Sequence, residues 1–212
     1  TDDDIRDTMM LLVGGGFDTT TALTAHSLEW LGENPAERQR LMDNLDSLLD
    51  SATEEFLRFY TPAPGDGRTV MYEYEVGGKK LEQYDRLWLS WAMANRDPEM
   101  FDDPENIHLD REGNRHTTFG LGVHRCIGSN VARAVFKTML TGVLERMPDY
   151  SCDPAGAVHY DTIGVIQGMK NLPATFTPGT RQGKGLEETI AFWEAKIARE
   201  GLAEPVVRGG AA

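Results

Sequence analysis

The ten residues 119–128, FGLGVHRCIG, constrain the fold of this chain more than any other stretch. Three glycines surround one cysteine, Cys126, and a run of residues with helical apolar spacing follows directly. Because glycine carries no side chain, the backbone here can lie against a large flat ligand. The N–H groups of the loop and of the following helix N-terminus favour the thiolate form of a cysteine. The stretch therefore indicates a site that holds Cys126 as a thiolate facing such a ligand.

Three other interpretations of this stretch stay open on the residues alone. A glycine-rich turn ahead of a helix can bind phosphate, but the Lys-Ser/Thr ending of a P-loop is absent. Cys126 and His124 could contribute to a zinc site, but four ligands are needed and no second Cys/His pair follows. A buried structural role is the commonest fate of a lone cysteine, but it leaves the glycines unexplained.

Residues 1–32 are predicted to form one long helix, although poor helix formers stand at its centre. The acidic start TDDDIRD favours a helix N-terminus, and apolar residues recur at helical spacing on both sides of the centre. The centre itself, residues 14–20, is GGGFDTT. Glycines weaken the helical hydrogen bonds, and a threonine hydroxyl can bond to a carbonyl one turn earlier. We therefore expect the helix to bulge and open a groove there.

The remaining elements mix helices with short strands. We predict helices over 34–45, from 51 or 53 to 61, and over 85–97 and 185–202, a hairpin over 68–81 turning at Gly77-Gly78, an irregular segment at 98–118, and strands near Tyr150, Val165 and Ala174. A further helix after Gly128 would place Ile127, Val131, Val135, Leu140 and Leu144 on one side. Without regular βαβ alternation, the expected class is mainly α with small β-sheets, an α+β fold.

Charge and cysteine content exclude several classes of protein. The 212 residues carry a formal charge of −13 and no block of basic residues, so we expect no nucleic-acid partner and no anionic membrane partner. No apolar run is long enough to span a bilayer, and no signal peptide is recognisable. Two cysteines are too few for a secreted disulfide framework. These observations favour the cytoplasm.

The stretch FGLGVHRCIG matches, position for position, the haem-binding signature F-G-x-G-x-H-x-C-x-G, and the chain thus resembles the cytochrome P-450 superfamily in its bacterial form. The resemblance implies that Cys126 is the proximal thiolate ligand of the iron in haem b. It also implies that Phe119 packs on the cysteine side of the haem, and that His124 and Arg68 bind the two propionates. The loop glycines beside the cofactor would be Gly120, Gly122 and Gly128.

The sequence EEFLR resembles the family's buried Glu-x-x-Arg pair, here Glu55 and Arg58. Residues three apart on a helix can meet, but such a pair alone is common on protein surfaces. Many family members have an arginine as third partner where this chain has Asn106. The sequence leaves open whether Asn106, Arg111 or neither completes the cluster.

The sequence GGFDTT, residues 15–20, resembles the family's (A/G)-G-x-(D/E)-T-T segment in the helix on the distal face of the haem. The resemblance implies that Thr19 holds the iron-bound oxygen or its water, and that Asp18 relays protons from solvent. It implies an apolar substrate pocket with contacts at Gly14, Gly15, Pro64, Val165 and Ile166, Gly15 also lying beside the cofactor.

The resemblance extends from Thr1 to about Pro178, the C-terminal portion of the family fold from the distal helix onward. We therefore expect a haem-domain part at 1–178 and a C-terminal extension at 179–212. The implied function is a haem-thiolate monooxygenase that inserts one atom of dioxygen into an apolar organic substrate, with electrons from a ferredoxin or flavoprotein. A peroxygenase is less favoured because Asp18 and Thr19 are intact. The alternative is a haem-binding fragment or structural remnant without catalytic activity of its own.

Overall fold

The computed structural model describes residues 1–161 and 165–179, together with residues 191, 194 and 195. The chain divides into two units, Thr1–Thr177 and Pro178–Ala212. Apart from those last three positions, the helix predicted over 185–202 lies outside the described residues and stays a prediction.

Helices dominate the first unit, and its strands are short. The helices are α1 (Asp2–Glu33), α2 (Pro35–Asp43), α3 (Leu45–Tyr60), α4 (Trp91–Ala94) and α5 (Ser129–Arg146). The strands are β1 (Gly65–Thr69), β2 (Tyr74–Val76), β3 (Lys79–Leu81), β4 (Arg86–Ser90), β5 (Ser151–Cys152), β6 (Val158–His159), β7 (Met169–Asn171) and β8 (Ala174–Thr175). They form four antiparallel pairs, β1 with β4, β2 with β3, β5 with β8 and β6 with β7. The predicted fold class, mainly α with small sheets, is confirmed.

Helix α1 runs unbroken from Asp2 to Glu33, so the predicted bulge at residues 14–20 is wrong. Its start is a capping box in which Thr1 and Asp4 satisfy each other's backbone N–H groups. Glycine weakens a helix by about 1 kcal/mol relative to alanine but keeps both of its backbone hydrogen-bonding groups. The helical hydrogen bonds therefore continue through the glycines.

Helix α2 has Pro35 at its first position, as predicted, because proline fixes a helical φ and lacks an N–H that would be unpaired there. Helix α3 begins at Leu45, six residues before the predicted start at Ser51. The leucines at 45, 48 and 49 pack against the core and extend the apolar face of this helix toward its N-terminus. The helix ends at Tyr60, where Thr61 adopts a left-handed conformation.

The helix predicted over 85–97 is wrong in its first half, because Arg86–Ser90 is the strand β4. Its partner is β1, with Gly65 opposite Ser90 and Arg68 opposite Leu87. This pairing supplies backbone hydrogen bonds that a local sequence pattern does not reveal. The hairpin predicted over 68–81 is confirmed around its turn, where β2 pairs with β3, but Arg68 and Thr69 pair with β4 instead. Gly77 and Gly78 supply the two positive φ angles, 57° and 75°, of the tight turn.

The segment 98–118 contains neither helix nor strand, as predicted. Strands do form beside Tyr150 and at Ala174, whereas Val165 lies in a bend outside any strand. Among the described residues, no helix is both long and apolar enough to cross a lipid bilayer.

The core lies between α3, α5 and the C-terminal half of α1. Its fully buried members include Leu31, Leu41, Phe56, Leu109, Phe136, Leu140 and Leu144. On α5, Leu140 and Leu144 join this core, but Val131 and Val135 are exposed, as is Ile127 just before the helix, so the predicted single apolar side is divided. Val131 and Val135 lie on the opposite side of the helix from Leu140 and Leu144, because successive helical residues advance by about 100°.

The N-terminal half of α1 is exposed on all sides and carries a set of large apolar side chains, called here its apolar face, which contrasts with its more buried C-terminal half. The side chains of this apolar face of α1 are all at least 54% exposed: Ile5, Met9, Met10, Leu11, Leu12, Val13 and Phe17. Contiguous apolar surface of this kind marks a place where a ligand or more protein binds.

Candidate functional site

The loop that carries Cys126 folds back on itself just ahead of α5. The Cys126 N–H donates to the Phe119 carbonyl at 2.8 Å, and a single 3₁₀ turn, Gly122–His124, lies between them. Gly120 and Gly122 have φ angles of 68° and 73°, which other residues adopt at a cost. The loop therefore closes because two of its glycines accept left-handed conformations, and it presents Cys126 as an exposed free thiol.

The surroundings of the thiol are apolar and open. Val123 is 96% exposed, Ile127 is 92% exposed, and Leu121 is exposed beside them. A β-carbon added at Gly128 would make only an ordinary contact, 3.9 Å, with the Cys126 sulfur. A soft sulfur ligand amid exposed aliphatic side chains is a donor set that suits the iron of an apolar macrocycle.

Arg68 and His124 are the two side chains expected to bind anionic groups. Arg68, on β1, donates from Nη1 to Asp66 at 2.6 Å. The pKa of Asp66 lies below its usual value, first because of this hydrogen bond and also, more weakly, because of the charge of His124. Arg68 and His124 can both bind anionic groups of a ligand.

The distal-helix residues are placed on α1 next to its apolar face. Thr19 donates from its hydroxyl to the Gly15 carbonyl at 2.8 Å, the back-bond expected from the sequence. Asp18 is exposed, Thr19 is half-buried, and space is open above Gly14 and Gly15. In the part of the chain that the structure describes, no hydrogen bond or ion pair joins residues 14–20 to the Cys126 loop.

Glu55 and Arg58 on α3 pair inside the protein, where both side chains are 0% exposed. Arg58 donates from Nε and Nη2 to the two carboxylate oxygens, each at 2.8 Å. Arg111 donates from Nε to Glu55 at 2.9 Å, whereas Asn106 contributes only its carbonyl, which accepts from Arg58 at 3.0 Å. Arg111 thus completes the buried ion cluster, defined here as Glu55, Arg58 and Arg111.

The segment 98–118 and α4 supply the other partners of the buried ion cluster. Arg58 Nη1 donates to the carbonyls of Asn95 and Pro104 at 2.8 Å and 2.9 Å, and the His108 N–H donates to Glu55 at 2.9 Å. Burial alone would raise the pKa of Glu55, but these donors, led by Arg58, hold that pKa below its usual value. The irregular segment therefore keeps its shape by binding an internal ion pair.

A second ion cluster, absent from the sequence predictions, lies behind the Cys126 loop. Arg133 on α5 donates from Nε and Nη2 to the two oxygens of Glu54 at 2.6 Å and 2.7 Å. His116 Nε2 lies 3.0 Å from the same carboxylate, and the Arg133 guanidinium covers the Phe119 ring at 4.6 Å. Burial alone would raise the pKa of Glu54, but Arg133 and His116 lower it to about 2. This Glu54 cluster therefore fixes Phe119, the first residue of the loop.

The sequence around Glu54 and Arg133 gives only weak indications that these two residues pair. Glu54 precedes Glu55 in EEFLR, and Arg133 stands four residues into α5, where its Nη1 also donates to the Ser129 carbonyl at 3.2 Å. The two partners are 79 residues apart, so only the folded chain shows that they meet.

The expected substrate contacts occupy different environments. Gly14 and Gly15 are exposed on α1, Val165 is exposed and Ile166 is half-buried. Pro64 is buried, and its carbonyl accepts the Ala92 N–H at 3.0 Å.

The family whose sequence model matches this chain is described as Cytochrome P450, and the match covers residues 1–148. The steroid C26-monooxygenase of Mycolicibacterium smegmatis is 32% identical over 177 residues, which are 84% of this chain and 44% of that protein. The 20-oxo-5-O-mycaminosyltylactone 23-monooxygenase of Streptomyces fradiae is 35% identical over 175 residues, 82% of this chain and 41% of that protein.

Solved structures agree with these sequence matches. A crystal structure of CYP109E1 from Bacillus megaterium in complex with testosterone superposes with a TM-score of 0.79 at 32% identity, over 84% of this chain and 49% of that chain. The cytochrome P450 enzyme CYP109B1 from Bacillus subtilis gives a TM-score of 0.74 at 31% identity, over 79% of this chain and 45% of that chain. The chain thus spans less than half the length of these relatives. The loop sequence, the fold and the similarity to these relatives show that the chain belongs to the cytochrome P450 family.

Proposed function

We propose that this chain is the haem-binding, C-terminal portion of a cytochrome P450 monooxygenase. The observation that carries the proposal is the exposed Cys126 thiol on a glycine loop, at the cysteine position of the haem-binding signature. The donor set fits haem b: one thiol for the iron, aliphatic side chains for the ring, and the Arg68 guanidinium and the His124 imidazole for the two propionates. When bound, haem with thiolate ligation supplies an iron that activates dioxygen for insertion into an organic substrate.

On the cysteine side, Cys126 binds the iron as a thiolate and the following helix favours that charge. Arg68, which pairs with Asp66 in this structure, and His124 would bind the propionates. Phe119 packs by the ring, held by Arg133 from behind. Gly120, Gly122 and Gly128 let the loop approach the ring, since none of them carries a side chain.

On the distal side, Thr19 would bind a water molecule and Asp18 would relay protons. The Thr19 hydroxyl donates its hydrogen to the Gly15 carbonyl, so the lone pairs of its oxygen accept a hydrogen bond from a water in the pocket. Asp18 is exposed and exchanges protons with solvent at its carboxylate. Gly14 and Gly15 leave room for the ligand, and Val165 and Ile166 add apolar contacts from the segment before β7.

The proposed substrate is an apolar organic molecule, and a ferredoxin or flavoprotein supplies the electrons. The relative named for steroid C26 oxidation, and the testosterone complex of the Bacillus megaterium protein, support an apolar substrate. Both cysteines are free, which fits a reducing compartment and hence the cytoplasm.

A haem-binding fragment without activity of its own is the second candidate. The apolar face of α1 favours it, because a pocket must exclude water from the reacting oxygen and this face is open to water. Residues 1–212 expressed alone would then bind haem partially and oxidise no substrate. Substrate oxidation by this 212-residue chain as a monomer would eliminate the second candidate.

A pyridine haemochrome assay with metal analysis tests the proposed cofactor. We expect one haem and one iron per chain at saturation, and weaker haem retention in Arg68→Ala and His124→Ala. Arg40→Ala is the matched control, since Arg40 pairs with Asp110 and Glu37 away from the loop. Undetectable haem binding, or zinc in place of iron at Cys126, would contradict the proposal.

A coupling measurement tests the oxygenase step in an active form of the enzyme. Thr19→Ala should retain haem and substrate but divert reducing equivalents into peroxide, because proton delivery is disturbed while Cys126 is untouched. Asp18→Asn should slow turnover, since an amide cannot relay a proton. Unaltered coupling in Thr19→Ala would remove Thr19 from the proposed role.

A further inference from the structure

Away from the Cys126 loop, two imidazoles and one carboxylate meet where α1 contacts the hairpin of β6 and β7. His26 and Glu29 lie three residues apart on α1, and His159 ends β6. One ligand atom from each residue lies within 4.8 Å of the others. His26 is only 8% exposed, the Glu29 side chain is mostly buried and the His159 side chain is half-exposed. The group is therefore built into the protein and still open to solvent on one side.

The carboxylate of Glu29 stands between the two imidazole rings. Its Oε1 lies 2.9 Å from His159 Nε2, and its Oε2 lies 3.7 Å from His26 Nδ1, beyond hydrogen-bonding distance. The two imidazole ring centroids are 5.2 Å apart. One carboxylate thus faces two nitrogen donors and makes a close contact with only one of them.

The surrounding structure fixes these side chains. The His26 ring stacks on Tyr60 with centroids 5.0 Å apart, which holds it toward Glu29. His159 is set by its backbone pairing with Met169 across the hairpin. Two ligands three residues apart on a helix and a third from a strand are a common way to converge on one ion.

We propose that His26, Glu29 and His159 form a binding site for a divalent zinc-class ion, with water as the fourth ligand. Zinc takes nitrogen and carboxylate oxygen ligands at about 2.0–2.2 Å, so tetrahedral ligand atoms lie about 3.3–3.6 Å apart. In this structure the ligand atoms are up to 4.8 Å apart. Small side-chain rotations, mainly of the half-exposed His159, would bring them into the tetrahedral range. Three protein ligands and one open position suit an ion that also binds water.

A cavity of ≈ 390 Å³ adjoins the three residues and has room for the water ligand. The cation that lines this cavity, Arg96, is already engaged: it pairs with Glu105, donates to the Phe59 carbonyl at 3.0 Å and stacks on the Phe59 ring. Arg96 therefore does not compete with an ion for Glu29, and binding of the ion would connect β6 to α1 seven residues beyond Thr19.

Calorimetric titration of the metal-free 212-residue chain with Zn²⁺ tests the site, with Co²⁺ absorption as a second readout of nitrogen and oxygen ligation. The Cys126→Ser background removes the exposed thiol as a competing ligand. We expect about one equivalent to bind and melting temperature to rise with metal. His159→Ala and Glu29→Gln should each weaken binding by more than about tenfold, since even partners of ligands contribute that much.

The matched control is His108→Ala, because His108 Nε2 lies 2.8 Å from the Asp103 carboxylate, in a half-exposed pair without a second imidazole. Circular dichroism establishes that each variant retains its helices. Absence of saturable Zn²⁺ binding in the Cys126→Ser chain, or equal binding in His159→Ala and His108→Ala, would overturn the proposal. The site is independent of the proposed monooxygenase function, so either can fail alone.

Discussion

The buried ion cluster contrasts with two exposed features of the chain, the Cys126 thiol and the apolar face of α1. In the buried ion cluster, charged groups are enclosed and every partner described above comes from this chain. On the surface, a thiol and a row of large apolar side chains face solvent. The charges of the buried ion cluster are paired within this chain and form its framework. The exposed thiol and apolar side chains require a ligand or further protein to cover them.

The largest expected effect is on the framework. Arg58→Ala should lower the free energy of unfolding by about 3–5 kcal/mol, because Glu55 would be left as an uncompensated buried charge. Arg40→Ala, at a half-exposed pair, should cost less than about 1 kcal/mol. Urea unfolding of the two variants compares them directly. Equal midpoints would show that the buried ion cluster does not stabilise the fold.

On the surface side, the apolar face of α1 should make the 212-residue chain self-associate. Replacing Met10 and Leu11 together by glutamine should shift the chain toward monomer in sedimentation velocity. Tyr72→Ser is the control, since Tyr72 is 82% exposed but lies outside this face. A wild-type chain that is already monomeric at micromolar concentration would contradict this account of the surface.

A smaller effect is expected at the Glu54 cluster, which joins the framework to the loop. The pKa of Glu54 in the folded chain is about 2, below its ordinary value of 4.5. Its pairing with Arg133 therefore stabilises the fold fully above pH 4.5, and this contribution is lost as pH falls toward 2. Arg133→Gln should lose about 1.5 kcal/mol at pH 7, since the pair is half-buried.

Acid unfolding curves for the wild-type chain and Arg133→Gln measure this contribution. The difference in stability between them should shrink as pH falls from 4.5 toward 2. A difference that stays constant over this range would show that the Glu54 charge is not what Arg133 stabilises.

The smallest effect concerns two glycines, one with a positive φ angle in the Cys126 loop and one inside α5. Gly120→Ala should destabilise the chain by about 1 kcal/mol, because alanine is strained at the φ angle of 68°. Gly142→Ala should stabilise by about 0.5–1 kcal/mol, since Gly142 is inside α5 with open space beside it. The melting temperature should fall in Gly120→Ala and rise in Gly142→Ala. Equal shifts in the two variants would show that the conformation of Gly120 does not require glycine.

The sequence predicted the contacts and turns that form between residues close together in the chain. The Glu55–Arg58 contact follows from spacing on one helix, and the Thr19 back-bond follows from hydroxyl geometry. The turn at Gly77-Gly78 is equally local. In each case the partners are at most four residues apart, so helix or turn geometry alone brings them together.

What the sequence missed depends on distant partners. The strand β4 was predicted as helix because its partner β1 lies about twenty residues away. Arg133 and Glu54 meet only after α3 and α5 pack together. The role of Arg111 was left open for the same reason, since Glu55 lies 56 residues before it. Helix α1 was predicted to bulge because glycine propensity was given more weight than its retained hydrogen bonds.

The central claim is that Cys126 ligates haem iron as a thiolate, and the spectrum of the reduced carbon monoxide complex tests it most directly. In haem-loaded protein, wild type and Cys152→Ser should show the long-wavelength Soret band that only thiolate ligation produces, and Cys126→Ser should lose it. Cys152 is the matched control because it is half-buried against the core and outside the loop. If Cys126→Ser keeps the band, or if Cys152→Ser loses it, Cys126 is not the ligand.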